Sequence, residues 1–199
     1  MKNSIFLMTK TPIHGLIKTR LAKIIGNSGA KKFTLININN VNKILINKKN
    51  FDFFIYTTPK KKFRSFSFNF SKNILTQKGK DLGKKIWYLN SIIKNNFVVV
   101  GSDIPDINFK HLLNAFELLR SNDIVIGPSF DKGFWLIGFT KKKAINYPFK
   151  EVRWGTKHVL EDLTNNFKKS NLKISFCEKL RDIDIFDDYC DYKGRFNNH

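Results

Sequence analysis

The stretch Phe97-Val98-Val99-Val100-Gly101-Ser102-Asp103-Ile104-Pro105-Asp106 decides the fold. Four consecutive apolar residues of strand-favouring type, closed by Gly and a turn, read as a strand buried on both faces. That is the pattern of a parallel strand with helices above and below it. The chain leaves this strand through Gly101 and Ser102 into Asp103, so an acidic side chain stands where the backbone exits the sheet. In open α/β sheets ligands bind beyond the carboxyl ends of the strands, which directs attention to such exits. Outward from this point, residues 4–8, 51–57 and 123–127 are further short apolar runs of strand length. Helical spacing lies between them, at 28–47, at 81–94 through Leu82, Ile86, Leu89 and Ile93, and at 109–120 through Leu112, Leu113, Phe116 and Leu119. Asn108 has the residue type of an N-cap. Alternation at this interval predicts βαβ units, an α/β fold with a mostly parallel sheet and helices on both faces. Residues 133–139 read as a strand that follows 123–127 too closely for a crossover helix, so this pair is expected to be antiparallel and the sheet mixed.

Composition sets the frame. At 199 residues, with no repeat, linker or low-complexity tract, one domain over 1–199 is expected. Twenty Phe and repeated Ile/Val/Leu blocks argue against disorder. Cys177 and Cys190 form neither a Cys-x-x-Cys pair nor a disulfide framework, which fits a reducing, cytoplasmic location. No stretch approaches a signal-peptide core or a membrane span, so no membrane insertion is expected. The net charge of +20 makes a basic nucleic-acid binder a rival reading, because phosphate backbones attract such a surface. Lys outweighs Arg, however, and accompanies an excess of Ile, Asn and Phe, a mix that AT-rich codons produce without selection for polyanions. No nucleic-acid-binding motif accompanies the charge, and no specific nucleic-acid partner is expected.

Three further segments leave strands with unusual chemistry. After the first strand, Thr9-Lys10-Thr11-Pro12-Ile13-His14-Gly15-Leu16-Ile17-Lys18-Thr19-Arg20 gathers Lys10, Lys18 and Arg20 around a Gly before a helix. Backbone N–H groups at a Gly, a helix N-terminus and paired cations suit a phosphate cradle; the competing reading is an ordinary basic loop. The segment lacks the P-loop spacing. Asp103 suits a hard divalent ion, since Mg²⁺ takes oxygen ligands and often one or two protein carboxylates beside substrate phosphates; the competing reading is helix-capping chemistry. Gly127-Pro128-Ser129-Phe130-Asp131-Lys132-Gly133 offers Asp131, which is equally a turn-forming Asp. Last comes Asp182-Ile183-Asp184-Ile185-Phe186-Asp187-Asp188, an acidic cluster in a basic chain. Asp187 and Asp188 fit the first turn of a final helix, leaving Asp182 and Asp184 for chemistry. His14 and His158 read as bystanders, one on a loop tip and one in a helical pattern.

Taken in order, these segments resemble a bacterial glycosyltransferase-A-like family, the arsenosugar-biosynthesis-type glycosyltransferases, related to 2-phospholactate and molybdenum-cofactor guanylyltransferases. The most specific match is Lys10, Pro12, Gly15, Lys18, Thr19, Arg20, Leu21 and Ala22. Gln77, Gly79, Asp81, Leu82 and Gly83 follow, then Gly101 to Pro105, then Gly127, Pro128, Asp131, Gly133, Leu136, Ile137 and Gly138. Trp154-Gly155-Thr156 and the closing Asp182, Asp184 and Asp188 complete the series. The chain departs from the family at Lys132, where relatives have Gly, at Phe134-Trp135, where they have a Tyr pair, and at Ile13-His14.

The resemblance implies a Rossmann-like nucleotide-diphospho-sugar transferase (GT-A) fold and a metal-dependent glycosyltransferase. Its substrates would be a nucleoside diphosphate sugar and a small-molecule acceptor. The alternative is a nucleotidyltransferase joining a nucleoside triphosphate to a phosphorylated acceptor. In either case Mg²⁺ or Mn²⁺ is expected on Asp103 and Asp184. Lys10, Gly15, Lys18, Arg20, Gln77, Gly79 and Asp81 are expected on the nucleotide, and Asp131 on the acceptor side. Asp103, Asp131, Lys18 and Arg20 are the expected catalytic set.

Overall fold

The computed structural model describes residues 2–13, 17–46, 48–59, 73–184 and 186–194. Alternation in the strands builds two cores at once. Ile5 and Leu7 of β1 (Asn3–Lys10) and Val98 and Val100 of β4 (Phe97–Gly101) enter one apolar cluster, while Phe6, Phe97 and Val99 enter another on the opposite face. Since side chains alternate along a strand, a run such as 97–100 with no polar residue must be covered on both sides. The first cluster is closed by Ile38, Val41 and Leu45 of α1 (Thr19–Leu45) and by Leu112, Ala115 and Phe116 of α3 (Phe109–Leu118). Ile86 and Leu89 of α2 (Leu82–Ile92), with Val159, Leu163 and Phe167 of α4 (Val159–Lys169), close the second.

With β2 (Phe51–Thr58), β3 (Ile74–Thr76), β5 (Ile124–Pro128), β6 (Phe134–Phe139) and β7 (Ile174–Phe176), the strands form one sheet in the order β3-β2-β1-β4-β6-β5-β7. β3, β2, β1 and β4 run parallel, whereas β6 lies antiparallel between β4 and β5. The mixed sheet expected from the short 123–139 connection is therefore found, with β6 antiparallel to two neighbours rather than one. Two elements were not read from the sequence: β3 and β7 are three-residue edge strands, too short for a period of two to show. The short helix expected after the Lys10–Arg20 loop and the helical pattern at 28–47 join in α1, which is kinked at Gly26, at φ 73°, ψ 162°. The final helix, α5 (Phe186–Gly194), opens with Asp187 and Asp188 as expected. Among the described residues no helix is long and apolar enough to cross a membrane.

Candidate active site at the carboxyl ends of β1 and β4

β1 and β4 pair in parallel with Met8 opposite Gly101, so their carboxyl ends emerge side by side. The segments leaving the two strands are thereby brought together. Gly101 matters at this exit because a Cβ there would lie 2.7 Å from Asp103 Oδ1; without one, the carboxylate folds back over the strand end. The distant acidic segment is stitched to the same point. Cys177 N–H donates to Ile126 O at 2.8 Å, Leu180 N–H to Pro128 O at 3.1 Å, and Ile183 N–H to Asp103 O at 3.1 Å. Ile183 is buried with Leu21 and Phe33 of α1, which anchors the segment and leaves Asp184 facing the strand exits. The Asp184 N–H donates in turn to Asp188 Oδ2 at 3.2 Å.

Lys18 closes the arrangement. It occupies the N-cap position of α1 in the left-handed region, φ 44°, ψ 46°, and makes no side-chain cap. Its ammonium donates to Asp103 Oδ2 at 3.1 Å and to Asp184 Oδ1 at 3.3 Å, with 11% of the side chain exposed. Burial works to lower the Lys18 pKa, but Asp103 and then Asp184 outweigh it and leave the group raised and charged. Arg20 Nη1 stands 3.6 Å from the other oxygen of Asp184 on a side chain that is 72% exposed, free to reach a ligand. Nearby, burial pushes the Asp182 carboxyl up to about 6, and the charges of Asp131 and Asp103 add to that push. Among the described residues, the centre of the site thus carries more carboxylates than the buried Lys18 ammonium balances.

These residues line a cleft of about 750 Å³. Lys10, Lys18, Arg20, Gln77, Asp103, Asp131 and Asp184 all border it. Gly79 and Asp81 do not line it. Asp81 is the N-cap of α2, its Oδ1 accepting from Lys84 N–H at 2.7 Å, and a Cβ at Gly79, where φ is 132°, would strike the backbone of Lys84 and Lys85. Gln77 ties two strands together, its side-chain N–H groups donating to Thr9 O at 2.8 Å and Tyr56 O at 2.9 Å. Gly15 and His14 lie outside the described residues, as does the Lys60–Lys62 run. His158 precedes α4 and pairs with Glu161 at 3.4 Å, and it is not among the residues that line the cleft.

The β5–β6 turn forms the far wall. Asp131 Oδ1 accepts from Ser129 Oγ and from Gly133 N–H, the latter at 2.8 Å, so the side chain is fixed as a turn former with its carboxylate at the cleft. Lys132 sits at φ 69°, in the left-handed region that favours Gly, the residue type that the resemblance leads one to expect there. Trp135 is buried, and its indole N–H donates to Glu178 O at 3.0 Å; only Phe134 of the pair remains partly open. Sequence reasoning missed Lys85 and Lys157, which also line the cleft, and nothing in the sequence distinguishes them from the other lysines. It found Trp154-Gly155-Thr156 as a motif but gave it no place; these residues border the cleft beside α2, where Gly83 leaves room for the Trp154 ring.

The donor chemistry fits a hard divalent cation. Asp103 and Asp184 both reach the single point now held by the Lys18 ammonium, and carboxylate oxygens are what Mg²⁺ and Mn²⁺ prefer. Among the described residues no group of three or more His, Cys, Asp or Glu side chains is placed to hold a metal. Two carboxylates completed by substrate phosphates and water are the arrangement that these side chains permit.

Comparison with known proteins agrees with this architecture. Over 175 residues, 84% of this chain and 70% of the relative, the sequence is 27% identical to a 2-phospho-L-lactate guanylyltransferase of Methanocaldococcus sp. (strain FS406-22). A crystal structure from Desulfovibrio desulfuricans G20, of a protein provisionally named a nucleotide-diphospho-sugar transferase, superposes with a TM-score of 0.87 at 26% identity. It covers 99% of this chain and 89% of that one. The expected nucleotide-diphospho-sugar transferase fold is thereby shown. More distantly, the manganese complex of Rv0371c from Mycobacterium tuberculosis H37Rv shares the fold with a TM-score of 0.54 at 10% identity, over 95% of this chain and 96% of that one. Residues 43–156, more than half of the chain, match the family described as "Uncharacterized protein conserved in bacteria (DUF2064)", and the chain belongs to that family.

Proposed function

We propose that this protein is a metal-dependent transferase that grips the phosphates of an activated nucleotide at the carboxyl ends of β1 and β4. One observation carries the reading: Lys18, Arg20, Asp103 and Asp184, drawn from three distant parts of the sequence, form one chain of contacts in one cleft. Arg20, exposed, and Lys18, at the start of α1, would neutralise phosphate charge and hold the leaving group in place. Asp103 and Asp184 would hold the divalent ion, whose Lewis acidity lowers the cost of the charge developing on the departing phosphate. Asp131, fixed by Ser129 and Gly133, would orient the acceptor or take its proton. Lys10 and Gln77, on the β1 and β3 exits, would border the nucleoside.

The group transferred divides the reading in two. Glycosyl transfer from a nucleoside diphosphate sugar is the main reading, supported by the likeness of the whole chain to the Desulfovibrio structure and by the motif series it resembles. Nucleotidyl transfer is supported about equally by the similarity to the guanylyltransferase. Both need the same phosphate grip and the same cation, so binding alone does not separate them. A thermal-shift screen of nucleoside mono-, di- and triphosphates and nucleotide sugars, with Mg²⁺ and with Mn²⁺, tests the shared reading. Stabilisation that needs both nucleotide and metal is expected, and a flat response to every pair would end it. Release of a nucleoside diphosphate from a nucleotide sugar then selects the first reaction, and release of pyrophosphate from a triphosphate selects the second.

A further inference from the structure

The ammonium of Lys18 stands where the metal-dependent reading needs a cation. It contacts Asp103 Oδ2 at 3.1 Å and Asp184 Oδ1 at 3.3 Å, it is nearly buried, and its backbone is held in the left-handed region at the start of α1. A divalent ion set between the two carboxylates competes with this ammonium for Asp103 Oδ2 and Asp184 Oδ1, and two cations so close repel each other. Yet Lys18 caps the N-terminal end of α1, which lines the cleft, so a rotation of its side chain would take the ammonium from the carboxylates toward a phosphate bound at that helix end. From this geometry we propose that Lys18 is a resident counter-ion of Asp103 and Asp184, which a nucleotide's diphosphate must draw off before a divalent ion takes its place.

This inference rests on the metal-dependent reading and adds an order of assembly to it. Metal and nucleotide bind with positive coupling. The free protein holds metal weakly because its own lysine competes, and a diphosphate removes the competitor while supplying further oxygen ligands. A nucleoside or monophosphate offers less charge to attract the ammonium, so coupling is strongest for ligands with two or more linked phosphates. Lys18 is in this respect a positioning residue: it keeps two close carboxylates ordered in the absence of ligand, when their mutual repulsion would otherwise spread them.

The test uses Mn²⁺ alone on the full chain without nucleotide, with free and bound ion distinguished by electron paramagnetic resonance. Lys18→Met removes the competing charge while keeping the stem, and should bind Mn²⁺ about tenfold or more tightly than the parent, within the usual range of coupling factors. Adding Asp103→Asn to Lys18→Met should abolish the gain. Lys23→Gln removes an exposed cation of α1 that does not line the cleft and should change Mn²⁺ affinity by no more than about twofold, since exposed charges are screened. Equal Mn²⁺ affinity in the parent and Lys18→Met overturns the proposal, and so does an equal gain in Lys23→Gln, which would mark a general charge effect. If Lys18→Met does not fold, Lys18→Asn, a residue type that tolerates the left-handed backbone, takes its place with the same two outcomes. Because nucleotide is absent, this measurement can fail while the thermal-shift screen succeeds, and the reverse.

Discussion

Gly101→Ala separates the site from the fold that carries it. A methyl at 101 would lie 2.7 Å from Asp103 Oδ1, and the next nearest atom outside that carboxylate is Trp135 O at 3.7 Å. Restoring ordinary contact requires the carboxylate to move by about 0.7 Å, a shift that a short side chain makes by rotating and the backbone does not resist. Gly101 is the last residue of β4, so Ala is tolerated there and even reduces the freedom of the unfolded chain. The net effect on stability is therefore within about 1 kcal/mol, a change in Tm of no more than roughly 2–4 °C for a chain of this size. The displaced carboxylate, however, carries the 3.1 Å contact with Lys18 and the proposed metal position. Altering a group that orients a metal ligand typically lowers metal affinity by about 10–100-fold, so affinity for a nucleotide with Mn²⁺ should fall roughly tenfold or more. Calorimetric titration beside a thermal melt measures both quantities on one sample. Gly26→Ala is the contrast: nothing lies within 4 Å of its Cβ but φ is 73°, so it should lose about 1–2 kcal/mol of stability and leave binding unchanged. A Gly101→Ala protein that binds like the parent, or one that unfolds well before it binds, refutes this account of the β4 exit.

Lys132→Gly should raise stability by about 0.5–1 kcal/mol, the left-handed penalty at φ 69° less the entropy that Gly adds to the unfolded chain; an unchanged or lowered Tm, or an equal gain in Lys132→Ala, would count against it. The two thiols should react in sequence with a chromogenic disulfide: Cys190 is exposed, whereas Cys177 is buried and its thiol is pushed up to about 12, so it stays protonated and slow, and simultaneous release of both would contradict the packing. Asp162 accepts from Arg153 at 2.6 and 2.9 Å, a partnership that holds its carboxyl at about 2 against an ordinary 3.8. A depressed folded pKa stabilises above the unfolded value and fades as pH falls through the folded one, so in melts from pH 5 to pH 2 the Asp162→Asn variant should lose its deficit relative to the parent at the acid end.

The parallel core was legible because burial on both faces leaves a plain mark. The run at 97–100 has no polar residue, and the helical spacing of Leu82, Ile86 and Leu89 or of Leu112 and Phe116 has one apolar stripe each, so element and covering face could be read together. Short edges escape that logic: β3 and β7 each have a half-buried, half-open pattern over three residues. The site was legible in its parts, since Lys18, Arg20, Asp103, Asp131 and Asp184 were each marked by standing at a strand exit or in an acidic cluster, and all border one cleft. Their pairing was not. Lys18 and Asp184 are 166 residues apart in the chain, and the contact depends on the Ile183 N–H reaching Asp103 O, a backbone bond that no side-chain pattern encodes. Nor does a lysine announce a left-handed backbone, at 18 or at 132, as a glycine would. Asp81 and Gly79 show the opposite case, where a motif is matched by residues that here shape the start of α2.

The charge of the chain gains a meaning from this geometry that composition alone could not supply. A net +20 spread over the surface attracts any polyanion and selects none. The cleft adds a local arrangement to that field: Asp103, Asp131, Asp182 and Asp184 border it together with Lys10, Lys18, Arg20, Lys85 and Lys157, and the Lys18 ammonium is shared by two of the four aspartates. A lone divalent ion would meet Lys18 at the strand exits, where the chemistry must occur. Linked phosphates that take Lys18 and Arg20 would leave the aspartates to the ion, so a nucleotide and its cation together satisfy the site. A duplex or single strand offers evenly spaced single phosphates and no such paired charge, so the arrangement of the carboxylates, rather than the number of lysines, argues for a nucleotide in this cleft over a nucleic acid on the surface.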